Sequence, residues 1–252
     1  MTGRVPGELL FARYAYPPNE LGYCGADDPA ALLGRTAAGA VDGDLRATLR
    51  TFEGAWPYLE LIAHANGIAD PCDADVVEAY WIGNSLLDHV PLHLMAGSLE
   101  ERFRPRLGRA WSPLADAAIR GAQPHHSFHV LGVYPFVGLL RTGVVDAPLR
   151  VLDRCRIRWG RVEALGVGCA DVTSQPLVWD GRRLALGPER VERVITSLDG
   201  AALARPLAVG DWCSLHWDWV CDRIDDAQVG QLRLRTWTSL SVANRAVSSV
   251  LA

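Results

Sequence analysis

The sequence of 252 residues contains no lysine, so every fixed positive side-chain charge belongs to an arginine. The formal net charge is −4, which leaves no basic excess for a phosphate backbone. No stretch reaches the roughly 18 uncharged apolar residues of a membrane-spanning helix, and the N-terminus lacks the apolar core of a secretory signal. We therefore expect a cytoplasmic protein that binds neither nucleic acid nor membrane.

Recognisable enzyme and zinc-knuckle motifs are also missing. The six cysteines are widely spaced and include no CxxC pair, so a structural zinc knuckle is disfavoured, and in the cytosol the thiols should be mostly reduced. There is no GxSxG, no Walker loop and no GxGxxG after a strand. Hydrolase, nucleotide-binding and dinucleotide-binding activities therefore have no local support.

Residues 1–148 are predicted to form an α-helical domain. Asp28 before Pro29 and Asp73 are candidate N-caps, and Pro135 should kink or break the stretch HVLGVYPFVGLL. The stretches DADVVEAYWIGNSLLDHV, LRATLRTFEGAWPYLELIAHA and SPLADAAIRGA also have helical patterns. The pattern of this half is typical of a helical bundle.

Residues 149–252 change to short runs rich in valine, leucine, tryptophan and arginine, separated by turn residues. Asp180-Gly181 suits a two-residue type I′ hairpin. A helix is expected over residues 226–248. The predicted fold class is α+β, with an N-terminal α-helical domain followed by a small β-barrel and a C-terminal helix.

The stretch GDWCSLHWDWVCDRI is predicted to be one short apolar strand that carries His216 between tryptophans. Cys213 and Cys221 lie at odd separations from His216, so strand alternation places both on the opposite face, as core residues. His216 itself is either a buried histidine bonded to a backbone carbonyl or a metal ligand.

The helical half contains a second candidate metal site in the run PHHSFH. His125 and His129 are four residues apart, so on a helix they would share a face and could hold one metal ion, with His126 beside them. Cys24 lies in a loop between Gly22 and Gly25, whose flexibility allows close approach to a ligand or a tight turn. Purely structural roles remain open for all four residues, as they do for the pair His89 and His93.

Three motifs in the C-terminal half carry a resemblance. The run CRIRWGRV from Cys155, the run VGDWCSLH ending at His216, and DDAQ at residues 225–228 together resemble the HypC/HupF family of nickel-iron hydrogenase maturation chaperones. The resemblance implies a HypC-like (OB-like) β-barrel in which Cys155 and His216 hold iron with its carbon monoxide and cyanide ligands. It also implies docking to hydrogenase maturation proteins or to the hydrogenase large subunit.

The sequence departs from that family in two ways. Cys155 is internal rather than next to the initiator methionine, so no terminal amine is available, and Trp217 and Trp219 replace smaller residues. The N-terminal half resembles an uncharacterised actinobacterial family associated with nickel-iron hydrogenase genes, through FARYAYPPNELGYCG and HHSFHVLGVYP. An iron carrier is the leading hypothesis. A metal-dependent enzyme whose histidine-rich bundle makes or processes a diatomic ligand, and a docking scaffold without metal, are the alternatives.

Overall fold

A computed structural model describes residues 4–107 and 121–248. Helices fill most of the chain before residue 156, and one long helix follows the strands. The helices are α1 Gly7–Glu20, α2 Pro29–Ala38, α3 Gly43–Arg50, α4 Trp56–Ala65, α5 Ala74–Trp81, a 3₁₀ helix Ser85–His89, α6 Leu92–Leu107, α7 His126–Phe128, a π-helical turn His129–Val133, α8 Phe136–Arg141, α9 Asp146–Cys155 and α10 Asp226–Ser248.

Nine strands lie between α9 and α10. They are β1 Arg158–Gly166, β2 Cys169–Ser174, β3 Leu177–Trp179, β4 Leu184–Leu186, β5 Arg190–Ile195, β6 Ser197–Leu198, β7 Ala201–Ala202, β8 Trp212–His216 and β9 Trp219–Ile224. The main sheet closes on itself in the order β1-β2-β5-β9-β8, and β3-β4 and β6-β7 form separate pairs. The predicted mixed α+β class, with helices first and a sheet followed by a C-terminal helix, is confirmed.

Helix starts follow the predicted capping residues. The Asp28 carboxylate accepts a hydrogen bond from the Ala31 N–H. The Asp73 carboxylate accepts a hydrogen bond from the Asp75 N–H. At the start of α10, Asp225 and Gln228 each bond the other's backbone N–H, which satisfies two donors reciprocally. Local side-chain chemistry therefore fixes where these helices begin.

Several predicted elements are wrong in detail. Helix α5 ends at Trp81, because Gly83 adopts a φ of +104° and a 3₁₀ helix follows. The stretch 45–65 forms parts of two helices rather than one, separated by turns at residues 51–55. The β3–β4 loop contains four residues rather than two, since Trp179 pairs with Leu184 and the Asp180 side chain accepts bonds within the loop.

The stretch GDWCSLHWDWVCDRI forms a hairpin and not a single strand. His216 pairs with Trp219, and Trp217 and Asp218 make the turn between β8 and β9. The alternation argument for Cys221 therefore fails, because this residue lies on the next strand at a bulge in the pairing. Both Cys213 and Cys221 are nevertheless fully buried core residues.

The largest core cluster joins the helices to the sheet. Phe11 and Tyr80 of the helical half belong to the same cluster of buried side chains as Ile157 and Trp219. The predicted boundary between residues 148 and 149 falls inside α9, and the two-domain division stays a prediction. The helical stretch predicted at 112–122 lies almost wholly outside the described residues. Within the described ranges, no helix has the length and apolar character needed to cross a bilayer.

Candidate metal centre

Three side chains from distant parts of the chain converge in the interior. His126 begins α7, Cys155 ends α9, and His216 ends β8. One potential ligand atom from each, a ring nitrogen or the sulfur, lies within 4.8 Å of the other two. All three residues are buried, so the sheet and the helices contribute to one shared group of soft and borderline donors.

The end of α9 is tied to the β8–β9 turn, which places Cys155 beside His216. The Trp217 N–H donates to the Arg154 carbonyl at 2.7 Å. Trp217 has a φ of +53°, a conformation that is strained for a bulky residue. Its carbonyl accepts a hydrogen bond from Arg158, whose guanidinium is also paired with Glu192. A buried ion pair therefore supports the strained turn next to the site.

The hydrogen bond of His216 determines which of its nitrogens is free. His216 Nδ1 lies 2.6 Å from the backbone oxygen of Tyr14 in α1. A carbonyl oxygen only accepts, so Nδ1 carries the proton and Nε2 keeps its lone pair. Nε2 is buried and has no hydrogen-bond partner in the described parts of the chain. Orientation of a ligating imidazole by a carbonyl on its other nitrogen is typical of protein metal sites.

His126 is held differently. Its Nε2 lies 2.8 Å from the Cys155 carbonyl oxygen and 4.0 Å from the Cys155 sulfur, and its Nδ1 lies 3.2 Å from the Tyr80 hydroxyl. The Trp81 ring packs against both histidines of the site, with ring centroids 4.6 Å from His126 and 5.8 Å from His216. Aromatic walls of this kind restrict the rotation of both imidazoles.

Burial keeps these side chains neutral. It lowers the pKa of His126 to about 4, despite the Cys155 carbonyl, and lowers that of His216 well below the usual range. Burial also raises the pKa of the Cys155 thiol, although the nearby Trp217 side chain opposes the effect. A neutral imidazole can act as a donor through the ring nitrogen that carries no proton, whereas the thiol needs a bound cation to stabilise its thiolate.

A cavity of about 230 Å³ lies against this group, and His126, Cys155 and Trp217 line it. Its other walls are mostly apolar and aromatic and include Tyr80, Trp81, Tyr134 and Phe136. A wider cavity of about 590 Å³ shares Tyr23, Cys24, Gly54, His129 and Tyr134 with the first. The buried donors therefore border a largely apolar chamber that adjoins a more polar one.

The predicted site residues separate into two groups. Cys155 and His216, predicted together, are brought together, and His126 joins them. His125 does not join, because it is the N-cap of α7 in an extended conformation, where the i, i+4 argument for a shared helical face does not apply. Its Nδ1 instead accepts a bond from the Ser127 N–H at 3.0 Å. The shared-face argument for His125 and His129 therefore does not hold, and their role as a ligand pair stays a prediction.

The remaining candidates lie near the group or away from it. His129 Nδ1 lies 3.2 Å from the Tyr58 hydroxyl, and both His129 and Cys24 line the cavity without belonging to the three-residue group. Burial raises the pKa of the Cys24 thiol to about 11. His89 is bonded to Asn66 at 3.0 Å on the surface. Tyr14 and Tyr80, which orient the histidines, had no signal in the sequence.

The donor group fits a transition metal. A tetrahedral site with bonds of about 2.1 Å to nitrogen and 2.3 Å to sulfur separates these atoms by roughly 3.6 Å. The His126 Nε2 to Cys155 Sγ distance of 4.0 Å is close to that value. The unpartnered Nε2 of His216 is a buried acceptor that a cation would satisfy. A set of one thiolate and two imidazoles suits iron, zinc, copper or nickel and disfavours calcium or magnesium.

Comparison with known proteins gives one match. A family model described as a family of unknown function, DUF6390, matches residues 3–250. No curated protein matches the chain. No solved structure matches it either.

Proposed function

We propose a function from the site itself, because the chain belongs to the DUF6390 family, whose function is unknown. The protein is an accessory protein of nickel-iron hydrogenase maturation that carries an iron species with cyanide and carbon monoxide ligands and transfers it to a partner. Cys155 and His216 hold the iron, and His126 completes the protein donors. The supporting observation is the convergence of these three side chains within 4.8 Å in the interior.

The chemistry of the donors supports iron as the cargo. A thiolate is a soft donor that suits a low-spin, carbonyl-ligated metal, and a neutral imidazole adds a borderline nitrogen. Both histidines are kept neutral by burial. The only proton that must leave the donor set as a whole is therefore the one on the Cys155 thiol.

The cavity supports a cargo that brings its own small ligands. Its walls beside Cys155 are largely apolar, which suits carbon monoxide. Trp81 and Trp217 line it, and the indole N–H of each is buried with no hydrogen-bond partner among the residues that the structure describes. Cyanide bound to a metal is an acceptor, so these two N–H groups can orient it.

The partners and the location follow from the resemblance to HypC/HupF. The motifs around Cys155 and His216 lie at the end of α9 and at the end of β8, beside a closed five-stranded sheet. On this proposal the sheet is a HypC-like barrel. The partners are hydrogenase maturation proteins or the hydrogenase large subunit, and the protein works in the cytoplasm.

Infrared spectroscopy tests the proposal. The protein is purified without oxygen from a host that expresses the maturation partners, and the region of metal-bound cyanide and carbon monoxide is scanned. We expect bands in the wild-type protein and in Cys213→Ala, and their loss in Cys155→Ala and His216→Ala. Cys213 is a matched control, because it is a fully buried cysteine outside the three-residue group. A blank wild-type spectrum from protein that captures its partners would refute the iron cargo.

The two alternatives differ in what the structure offers them. An enzyme that makes or processes a diatomic ligand would use the same cavity, because His126 and His129 both line it. Its discriminating result is turnover of a diatomic precursor by the metal-loaded protein alone. The scaffold hypothesis gains no exposed docking surface from Trp217 and Trp219, because both side chains are buried.

A further inference from the structure

The two histidines of the metal centre are held in opposite tautomers. His216 has its proton on Nδ1, directed at the Tyr14 carbonyl, and presents a free Nε2. His126 has its Nε2 2.8 Å from the Cys155 carbonyl oxygen. Because that oxygen only accepts, His126 carries its proton on Nε2, the nitrogen that faces the Cys155 sulfur at 4.0 Å. One imidazole is ready to bind a metal, and the other is blocked by its own proton.

The Tyr80 hydroxyl is the only partner that the structure gives to the other nitrogen of His126 within the described residues, at 3.2 Å from Nδ1. When His126 carries its proton on Nε2, Nδ1 is an acceptor and Tyr80 must donate to it. The same hydroxyl lies 3.1 Å from the Gly54 carbonyl oxygen. One hydroxyl proton thus has two acceptors in reach, and rotation about the C–O bond moves it from one to the other.

Tyr80 keeps that proton under all ordinary conditions. The side chain is fully buried, and burial, together with the neighbouring Tyr58 and Tyr134, raises the pKa of its hydroxyl well above the usual value. The Tyr58 ring stacks on it with centroids 5.6 Å apart and planes at 20°, so the ring itself is held in place. The hydroxyl hydrogen is therefore free to turn while the ring is fixed.

We propose that Tyr80 is a positioning residue that selects the tautomer of His126 and so opens the site to a transition-metal cation. In the empty site, Tyr80 donates to Nδ1 and His126 Nε2–H donates to the Cys155 carbonyl. In the loaded site, the hydroxyl donates to the Gly54 carbonyl and accepts from Nδ1–H, and Nε2 binds the metal. This inference rests on metal binding by Cys155, His126 and His216.

The proton movements between the empty and the loaded site balance at each group. The His126 ring loses the proton on Nε2 to water and gains one on Nδ1 from water, so it stays neutral and no bond other than N–H changes. Tyr80 keeps its proton throughout. The one net proton released on loading comes from the Cys155 thiol. A cation must therefore displace the contact between His126 and the Cys155 carbonyl, which favours metals with strong affinity for imidazole over calcium or magnesium.

Nitrogen-15 NMR of labelled histidine reads the tautomers directly. In the empty wild-type protein, we expect a proton on Nε2 of His126 and on Nδ1 of His216. After titration with Zn²⁺, we expect His126 to carry its proton on Nδ1 and His216 to remain unchanged. Observation of the Nδ1–H tautomer of His126 in the empty protein, or persistence of Nε2–H after one equivalent of Zn²⁺ has bound, would overturn the proposal.

A pair of tyrosine variants separates the hydroxyl from the packing. Tyr80→Phe leaves Nδ1–H of the loaded state buried without an acceptor, so Zn²⁺ should bind about ten- to hundredfold more weakly. Tyr58→Phe is the matched control, because Tyr58 is equally buried and its hydroxyl lies 3.2 Å from His129 Nδ1 instead. We expect its Zn²⁺ affinity to stay within about threefold of wild type, because phenylalanine keeps the ring that stacks on Tyr80.

The outcomes distinguish this inference from the proposed cargo. Equal Zn²⁺ affinity of Tyr80→Phe and wild type would refute the role of the hydroxyl. If Tyr80→Phe fails to fold, the nitrogen-15 NMR measurement of the wild-type tautomers still tests the proposal. A blank infrared spectrum combined with the expected tautomer change would refute the iron cargo and leave the Tyr80 mechanism intact. Cyanide bands without a tautomer change would support the iron cargo and refute the Tyr80 mechanism.

Discussion

The imidazole rings of His126 and His216 meet edge to face, with centroids 5.0 Å apart and planes at 74°. One ring comes from a short helix and the other from the end of a strand. Because each would repel the other if both were protonated, their proximity is stable only while the rings are neutral. A cation bound beside the two rings would accept the Nε2 electron pair of His216, and that of His126 once its Nε2 proton has left.

Substitutions at His125 and His126 should show which of these adjacent histidines is the metal ligand. We expect His126→Gln to weaken Zn²⁺ binding more than about hundredfold, beyond the loss typical of an outer-shell partner. His125→Asn should bind Zn²⁺ as wild type does, since asparagine can still cap α7 in place of the His125 Nδ1. Calorimetric titration measures both. Equal losses in the two variants would contradict the assignment.

Acid should destabilise the metal-free protein through its buried histidines. Burial lowers the pKa of His126 to about 4 and of His125 to about 3, and lowers those of His129 and His216 well below the usual range. Below about pH 6.5 the unfolded chain takes up protons that the folded chain cannot. Stability is therefore fully present above that pH and falls down to about pH 4, by up to about 1.4 kcal/mol per pH unit for each histidine.

Urea unfolding at pH 7.5, 6.0 and 5.0 checks this pH dependence. We expect the loss between pH 6.0 and 5.0 to shrink in His126→Gln and to be unchanged in His64→Gln. His64 is the control because its side chain is exposed on α4. A wild-type free energy of unfolding that stays constant over this range would show that the buried histidines do not titrate as described.

The ion pair beneath the Trp217 turn should matter more than a surface pair. Burial raises the pKa of Glu192, but Arg158, Ser174 and Arg154 outweigh that effect and lower it overall. Glu192→Gln leaves the buried Arg158 guanidinium without its countercharge, which should cost about 3–5 kcal/mol. Removal of a carboxylate from an exposed pair should have little effect.

Asp171→Asn is the matched control for Glu192→Gln, because Asp171 pairs with the exposed Arg193 on the same sheet. Urea midpoints of the two variants give the comparison. Arg158 donates to the Trp217 carbonyl and so supports its positive φ, and Glu192→Gln should therefore also weaken Zn²⁺ binding. Similar midpoints for both variants would show that the turn does not depend on the buried pair.

The stack of Tyr23 on Trp217 should control access to the Cys155 thiol. The two rings lie 4.6 Å apart at the cavity, and Tyr23 is half exposed. We expect Tyr23→Ala to speed the alkylation of Cys155 several-fold, because it opens the cavity and reduces the burial that raises the pKa of the thiol. Peptide mass spectrometry follows each cysteine. Equal acceleration at Cys213, which does not line the cavity, would indicate general loosening instead.

Local chemistry made part of the fold and of the site predictable. Helix starts could be predicted where an aspartate side chain bonds a backbone N–H two or three residues further along, as at Asp28, Asp73 and Asp225. The resemblance to HypC/HupF implied a shared site for Cys155 and His216, and potential ligand atoms of the two residues lie within 4.8 Å of each other. These predictions needed only short-range pattern or the order of motifs along the chain.

The remaining features depend on tertiary structure that no local pattern encodes. Helix α1 was not predicted, because it is buried on nearly all sides and contains Pro17 and Pro18, so it shows neither a polar face nor an unbroken helical composition. The sequence does not show which of His125 and His126 is the ligand, because a shift of one residue in the helix start decides which ring faces the site. Trp217 gave no sign of its positive φ, since side-chain type seldom predicts it.

The bond between Tyr14 and His216 also has a consequence for biosynthesis. It joins residues that are 202 positions apart in the chain. A ribosome adding about 5–20 residues per second needs roughly 10–40 s to make the intervening segment. Once Cys155 has been added, the nascent chain still lacks the third donor, so tight metal capture must wait until the translated chain has passed His216 and folded back onto α1.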